Sequence, residues 1–184
     1  GLAPPTKKTR DALQKKLKGG PGDLLAPRVR PGSPGTGVNR DALYKALSSA
    51  PSASTPGPTG LRFSHLQAFK AHPRALAWVG GLCDRFADGD IPDATVELLA
   101  LTKLNPLLKD GGGIRPVAGG ECLRKLTARA LVREHKDALV AAVGSHQYGA
   151  GRPGGAETLV HAVQVVSAAR PDHAWVQLDV ANAF

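Results

Sequence analysis

Apolar residues recur at intervals of three and four along much of the chain, which is the spacing of one helix face. In the segment 39–49, for example, Leu43 and Leu47 follow Asn39, a residue type that favours the N-cap position. The predicted helices cover residues 6–18, 39–49, 61–70, 73–87, 93–100, 121 to about 142 and about 156–169. Helices are therefore predicted to dominate the fold.

Strands are predicted in two places. The segment 100–104, a polar Gly-rich turn at Asp110–Gly113 and the segment 114–117 together predict a β-hairpin. Residues 174–180, AWVQLDV, are predicted to form a buried strand at the end of the sequence. A mostly helical chain with a few strands that come late predicts the α+β class.

Gly and Pro separate these elements. The chain has 22 Gly and 15 Pro, about a fifth of its residues, whereas average usage is roughly 12%. Residues 19–37 are predicted to be a linker, and residues 50–60 form a second stretch that fits neither a helix nor a central strand. The sequence contains no Met, so we expect it to be part of a longer protein.

Positive charge is concentrated in the first third of the chain. The net charge is +9, and residues 1–59 carry ten Lys and Arg against three Asp. The remaining residues carry fourteen basic against twelve acidic side chains, which is nearly balanced. A basic tail of this kind favours a polyanionic partner, with nucleic acid preferred over an acidic protein, although charge alone does not separate the two.

The sequence does not favour a disulfide, zinc or membrane protein. Its two cysteines, Cys83 and Cys122, form no CxxC pair, and the six histidines show no metal-binding spacing. We therefore expect ordinary reduced thiols in an intracellular protein of the nucleus or cytoplasm. Because no apolar run approaches the roughly 18–20 residues that span a bilayer, no membrane partner is expected.

Asp179 is a candidate metal ligand. It ends the apolar run Trp175–Leu178, where a carboxylate is costly unless it is paired or holds a metal ion. Carboxylates at strand ends are a common way to hold Mg²⁺ for phosphoryl chemistry. Turn formation or helix capping is nevertheless the more common role of such an aspartate, so the spacing alone leaves both interpretations open.

Two groups of basic residues are candidates for binding phosphates. Lys103 and Arg115 flank the predicted hairpin, where an ammonium and a planar guanidinium would together suit a triphosphate. Lys125, Arg129 and Arg133 repeat every four residues and would form a basic stripe on one helix, suited to nucleic acid. In both cases the alternative is an ordinary solvated surface, which is the usual environment of Lys and Arg.

The Gly-rich loop 148–155 is not a P-loop. It lacks the Gly-Lys-Ser/Thr ending, and it follows a predicted helix rather than a strand. A contact from its backbone amides to a nucleic-acid phosphate, with Arg152 beside them, remains an open alternative.

The order of four segments is more specific than any one of them. From residue 55 to residue 184 the chain resembles the fingers and early palm of reverse transcriptases of non-LTR retrotransposons, over about two-thirds of its length. The segments are TPGPTGLRFSHLQAF (55–69), LTKLNPLLKDGGGIRPVAGGECLRKLTARAL (101–131), QYGAGRPGGAETLVHAV (147–163) and LDVANAF (178–184).

This resemblance implies an RNA-directed DNA polymerase that acts on an RNA template, a DNA primer and dNTPs, with no stable protein partner. Asp179 corresponds to the first palm carboxylate, which would coordinate two Mg²⁺ ions about 4 Å apart with the Val180 carbonyl as a further ligand. Phe184 corresponds to the aromatic residue that packs on the sugar of the incoming nucleotide and disfavours a 2′-hydroxyl.

The resemblance also assigns the other candidate residues. Lys103 and Arg115 correspond to the fingers residues that grip the triphosphate, while Gln147, Gly149 and Arg152 correspond to a loop that touches template or primer. The GPTGLR segment is expected to have a structural rather than a chemical role.

Two departures from the family pattern limit what these residues are expected to do alone. Asn182 stands where many retroviral relatives have a second acid, and the later two-Asp turn and the thumb are not in this sequence. We therefore expect residues 1–184 alone not to polymerise, and the strand 175–180 to expose apolar surface because its sheet is missing.

The resemblance divides the chain into a basic, partly disordered extension (residues 1–54) and a fingers and early palm region (residues 55–184). Three alternatives to a reverse transcriptase remain. They are RNA-templated RNA synthesis, a non-catalytic nucleic-acid-binding remnant, and a domain that binds acidic proteins.

Overall fold

The structure is a computed structural model that describes residues 1–17, 37–149 and 151–178. Within these residues it has eight α-helices, a short 3₁₀ helix and one two-stranded antiparallel sheet, which confirms the α+β class. In chain order the elements are α1 (Lys7–Leu17), α2 (Arg40–Ser48), α3 (Phe63–Ala68), the 3₁₀ helix (Phe69–Ala71), α4 (Pro73–Asp88), α5 (Asp93–Ala100), β1 (Lys103–Leu108), β2 (Ile114–Gly119), α6 (Cys122–Glu134), α7 (Lys136–Val143) and α8 (Gly155–Ala169).

The chain forms two compact units, Gly1–Glu134 and His135–Phe184. In the first unit, α2 and α4 both pack against α6. The α2 helix lies inside the predicted extension of residues 1–54, yet Leu43 and Leu47 are among the most deeply buried residues. The predicted linker 19–37 falls almost entirely outside the described residues.

The core forms where the apolar faces of the helices meet. Asn39 begins α2 as predicted, because its side-chain oxygen accepts the backbone N–H of Ala42 at 3.0 Å. The α4 helix has Pro73 at its first turn and ends at Gly89, whose φ of 70° suits glycine. The core residues are Val38, Leu43, Ala46, Leu47, Ala50, Phe63, Leu66, Val79, Cys83, Cys122, Leu126 and Ala130.

The β-hairpin is confirmed, although its first strand begins at Lys103 rather than at residue 100 as predicted, and residues at the N-terminus extend it. The N–H of Ala3 donates to the carbonyl of Pro106 at 2.8 Å, and the N–H of Leu108 donates to the carbonyl of Gly1 at 3.1 Å. Pro106 is tolerated in β1 because its carbonyl accepts a hydrogen bond on this edge, where the missing N–H of proline is not required. The first residues of the chain therefore cover the free edge of β1.

The long helix predicted from Glu121 to about Ala142 is wrong. The helix divides at His135, whose φ and ψ of −99° and 16° are not helical. Neither Gly nor Pro causes the break, which falls where the buried positions of α6 end. Because α7 has no buried residue, packing does not support one continuous helix across His135.

The predicted buried strand 174–180 is also not observed. Residues 174–178 have no regular secondary structure, and Trp175 and Leu178 are 54% and 88% exposed. A strand needs a neighbour for its backbone hydrogen bonds, and in the described residues β1 and β2 form the one sheet. The expected exposure of this apolar segment is thus confirmed for the residues that the structure describes.

An ion pair joins the start of α2 to α4. The Arg40 guanidinium donates to both carboxylate oxygens of Asp84, at 2.8 and 2.5 Å, and the N–H of Val38 donates to the same carboxylate at 2.8 Å. The hydrogen bonds from Arg40 and Val38 lower the pKa of Asp84 below its usual value. The carboxylate therefore stabilises the fold in its ionised form.

Asp84→Asn is expected to lower the free energy of unfolding by about 1 kcal/mol at pH 7, since Arg40 is more than half exposed and solvent screens the pair. Because folding lowers the pKa of Asp84, this contribution is present above about pH 4 and disappears as the pH falls through the folded pKa. Urea unfolding of both proteins at several pH values measures this difference.

Asp41→Asn is the matched control, because Asp41 forms an exposed i,i+4 pair with Lys45 at 2.7 Å. Such pairs contribute about 0.2–0.5 kcal/mol. A difference between wild type and Asp84→Asn that stayed constant down to pH 2.5 would contradict the role of the ionised carboxylate.

Candidate functional site

The hairpin places Lys103 and Arg115 on one face. In the register of the two strands Lys103 lies opposite Gly119 and Leu107 lies opposite Arg115. Side chains alternate along a strand, so Lys103 and Leu107 point to the same side, and Arg115 shares that side with its partner Leu107. Four residues at about 3.4 Å each place the backbone positions of the two residues roughly 14 Å apart along the strand.

Both of these side chains are exposed and open to a ligand. Within the described part of the chain, neither makes a side-chain hydrogen bond or an ion pair. Arg115 also lines a shallow depression of about 290 Å³ with Leu107, Leu108, Lys109 and Asp110. The carboxylate of Asp110 makes this end of the hairpin less favourable for an anion, whereas Lys109 offsets it.

The turn between the strands depends on glycine. Gly111 and Gly112 have φ values of 92° and 88°, a region that side chains with a Cβ rarely adopt. The carbonyl of Gly113 accepts the N–H of Lys109 at 2.7 Å and closes the turn. The Gly-rich turn predicted at Asp110–Gly113 is thus confirmed, and Gly111 and Gly112 are the positions whose backbone favours glycine.

The GPTG segment holds the start of α6. The buried carboxylate of Glu121 accepts the N–H of Thr59 at 2.8 Å and its hydroxyl at 2.7 Å. Gly57 passes so close that an added Cβ would lie 2.8 Å from the Cα of Glu121. The structural role expected for this segment is therefore observed, and its partner was not predicted.

The N-terminal part of the basic stripe is occupied by contacts within the chain. Lys125 Nζ donates to the carbonyl of Thr55 at 3.0 Å and lies 5.7 Å from the centre of the Phe63 ring. These contacts fix the end of the 50–60 segment on α6. Lys125 therefore has a structural role in addition to the one predicted for it.

The other two members of the stripe converge on Ser49, the residue that follows α2. Arg133 Nη2 lies 2.7 Å from the Ser49 hydroxyl oxygen. Arg129 Nη2 lies 3.4 Å from the same oxygen and 3.3 Å from the Ser49 carbonyl. Ser49 and Arg133 are exposed, whereas Arg129 is half-buried and its Nε is buried without a hydrogen-bond partner among the described residues.

The candidate residues of the Gly-rich loop belong to the second unit, and their contacts are with neighbouring residues of the same loop. The side-chain oxygen of Gln147 accepts the N–H of Gly149 at 2.7 Å. The Arg152 guanidinium lies 5.4 Å from the centre of the Tyr148 ring. Gly154 adopts a φ of 64° just before α8 begins. The structure thus brings Gln147 and Gly149 together and leaves the exposed Arg152 beside them.

The remaining candidates, Asp179, Val180 and Phe184, lie outside the described residues. Among the residues that are described, no group of three or more His, Cys, Asp or Glu side chains is arranged to hold a metal ion. An aspartate carboxylate and a backbone carbonyl are nevertheless the oxygen ligands that Mg²⁺ prefers.

The two cysteines are core residues. Burial raises the pKa of the Cys122 thiol to about 11, and burial likewise raises the pKa of Cys83. Both thiols are therefore protonated at neutral pH, and a protonated thiol is a poor nucleophile.

Sequence reasoning missed Ser49, Thr59 and Glu121. Ser49 lies 80 and 84 positions from its two arginine partners, and Thr59 lies 62 positions from Glu121. No local pattern indicates such contacts. The one signal present was compositional, because Glu121 is an acid beside two glycines at the start of a helix.

Comparison of the chain with protein-family models, curated proteins and solved structures found no match. No helix in the described ranges is both long and apolar enough to traverse a bilayer.

Proposed function

We propose that the chain forms the fingers and early palm of an RNA-directed DNA polymerase. The observation that supports this best is the pair of exposed cations, Lys103 and Arg115, on one face of a glycine-closed hairpin. A triphosphate carries several negative charges, and two long basic side chains whose backbone positions lie roughly 14 Å apart on one face can converge on it from both ends. Arg115 would bind as a planar fork and Lys103 as a point charge.

In this proposal the residues outside the described part of the chain perform the chemistry. Asp179 and the Val180 carbonyl would hold Mg²⁺. The bound metal would lower the pKa of the primer 3′-hydroxyl and neutralise charge on the leaving pyrophosphate. Phe184 would pack on the sugar of the incoming nucleotide and select against a 2′-hydroxyl. The template and primer would contact Gln147, Gly149, Arg152 and the stripe formed by Lys125, Arg129 and Arg133.

The second candidate is a nucleic-acid-binding protein without polymerase activity. Helix α1 favours it, because its eleven residues carry five Lys and Arg against one Asp. Such a surface binds polyanions regardless of whether the nucleotide-binding residues function. The two functions differ in one property, which is specific binding of a dNTP by the hairpin.

Lys103→Ala and Arg115→Ala are each expected to weaken binding of Mg²⁺-dTTP to the 184-residue chain about tenfold. A hydrogen bond to a charged group contributes about 1.5–3 kcal/mol, and about 1.4 kcal/mol corresponds to a factor of ten. Isothermal titration calorimetry of the wild type and both variants measures the dissociation constants.

Arg74→Ala is the matched control, because Arg74 is an exposed cation on α4 with no hydrogen bond or ion pair to any described residue. It removes the same charge from the same unit, so its effect reports nonspecific electrostatics. If all three variants bound dTTP equally well, the assignment of the hairpin to the triphosphate would be wrong, and the second candidate would remain.

A further inference from the structure

The two guanidinium groups at Ser49 leave positive charge that no carboxylate of the described residues neutralises. Among the described residues, neither Arg129 nor Arg133 forms a salt bridge with an acid. The adjacent Glu134 is engaged elsewhere, since it accepts the N–H of Asn39 at 3.1 Å. Like charges one helical turn apart repel each other, so an anion between the two arginines would be stabilised.

Capping of α2 explains only part of this arrangement. The C-terminus of a helix carries a partial negative charge and unsatisfied carbonyls, which attract cations. Arg129 meets this need, because it donates to the Ser49 carbonyl at 3.3 Å. Arg133 contacts only the hydroxyl. A guanidinium has five donors, so most of those of Arg133 remain available to a ligand.

The surroundings of this cluster favour a nucleic-acid strand over a small anion as its ligand. Ser49 and Arg133 are exposed, and Arg129 is half-buried beside them. Lys125 lies one turn before Arg129, which is a rise of about 6 Å, so the cations form a row along α6. A polymer with phosphates in sequence can use the whole row, whereas a single small anion can use only one position.

We propose that Ser49, Arg129 and Arg133 form a subsite for one backbone phosphate of a single-stranded RNA. The two guanidinium groups donate to the phosphate oxygens, and the Ser49 hydroxyl, which here donates to the Ala46 carbonyl at 3.4 Å, turns to donate to a phosphate oxygen as well. This subsite rests on the proposed function, because it places the template strand along α6. It adds Ser49, the residue at the end of α2, to the surface that holds the strand.

Ser49→Asp tests the subsite without removing a cation. The new carboxylate would lie between Arg129 and Arg133 and compete with the phosphate, so we expect the affinity for a fluorescein-labelled 20-nucleotide poly(U) RNA to fall about tenfold at 50 mM salt. Arg133→Gln is expected to weaken binding to a similar extent and to reduce the dependence of log K on log salt by about 0.7. Fluorescence anisotropy on the 184-residue chain measures both.

Ser52→Asp is the control, because Ser52 is exposed three residues away and adds the same charge without a contact to either arginine. Circular dichroism melting of each variant confirms that it is folded. Equal affinities of Ser49→Asp and Ser52→Asp for the RNA would overturn the subsite while nucleic-acid binding itself stood. An absence of RNA binding by the wild type would instead overturn the proposed function.

Inorganic phosphate separates a strand subsite from a small-anion site. We expect 10 mM phosphate to reduce RNA binding no more than an equal ionic strength of chloride does. If phosphate displaced the RNA from the wild type but not from Ser49→Asp, the cluster would be a site for free phosphate, and the assignment to an RNA strand would be wrong.

Discussion

Glu121→Ala is expected to lower the free energy of unfolding by about 2–4 kcal/mol. Glu121 is only 3% exposed, and its carboxylate accepts both the N–H and the hydroxyl of Thr59. A hydrogen bond to a charged group contributes about 1.5–3 kcal/mol, and each buried donor left unpaired costs about 1–3 kcal/mol. Urea unfolding followed by circular dichroism measures the change.

The control for this prediction is Glu134→Ala at the other end of α6. Glu134 is exposed and accepts one N–H, that of Asn39, so its loss should cost less than about 1 kcal/mol. Thr59→Val in the Glu121→Ala background should lower the free energy of unfolding little further, because the hydroxyl of Thr59 stabilises the fold through its hydrogen bond to Glu121. Equal destabilisation by the two alanine variants would show that the GPTG segment does not hold α6.

Glu121 bears on the proposed function because it fixes the start of α6. The α6 helix begins at the next residue and carries all three members of the basic stripe. If Thr59 and Gly57 did not fix Glu121, the direction of the helix relative to α2 would be less well defined. The GPTG segment is therefore structural in a way that bears on the proposed RNA surface.

Local sequence patterns were sufficient for much of the fold. The Asn39 cap, the turn at Asp110–Gly113 and the helix α4 each depend on residues that lie close together in the chain. The backbone conformation of such residues is restricted mainly by their neighbours in the sequence. Glycine at positive φ and a capping side chain therefore leave a signal that can be read without the rest of the protein.

Two errors arose where packing decides the structure. The α6 helix ends at Glu134 although the sequence continues with good helix formers, because the apolar contacts that support it end first. Residues 174–178 have an apolar pattern typical of a buried strand, but no strand lies beside them in the described residues. Periodicity predicts which face an element buries and does not show whether a partner is present.

The candidate site was predictable as a set of residue types, and its arrangement was not. Lys103 and Arg115 were predicted to flank one hairpin, and the register then put them on the same face. Arg129 and Arg133 were predicted to form a basic stripe, but their contacts with Ser49 span 80 and 84 positions. Contacts of that length depend on tertiary structure, which a single sequence does not encode in any local pattern.

Asp179→Asn is expected to reduce nucleotide incorporation at least a thousandfold. The carboxylate is proposed to hold both metal ions, and its charge cannot be replaced by an amide of the same shape. Loss of even one neutral donor to a developing charge lowers the rate of an enzyme about 10²–10³-fold. RNA binding should be unchanged, because the cations proposed to bind the strand lie elsewhere in the chain.

Primer extension on an RNA template measures the proposed polymerase activity and the role of Asp179 in it. It uses the natural protein in which residues 1–184 occur, a DNA primer, dNTPs and Mg²⁺, and it compares the wild type with Asp179→Asn and with Asp172→Asn, an exposed acid seven positions earlier. We expect extension by the wild type and Asp172→Asn and none by Asp179→Asn, with equal RNA affinity in all three. Extension by Asp179→Asn at the wild-type rate would show that Asp179 does not hold the metal ions of a polymerase.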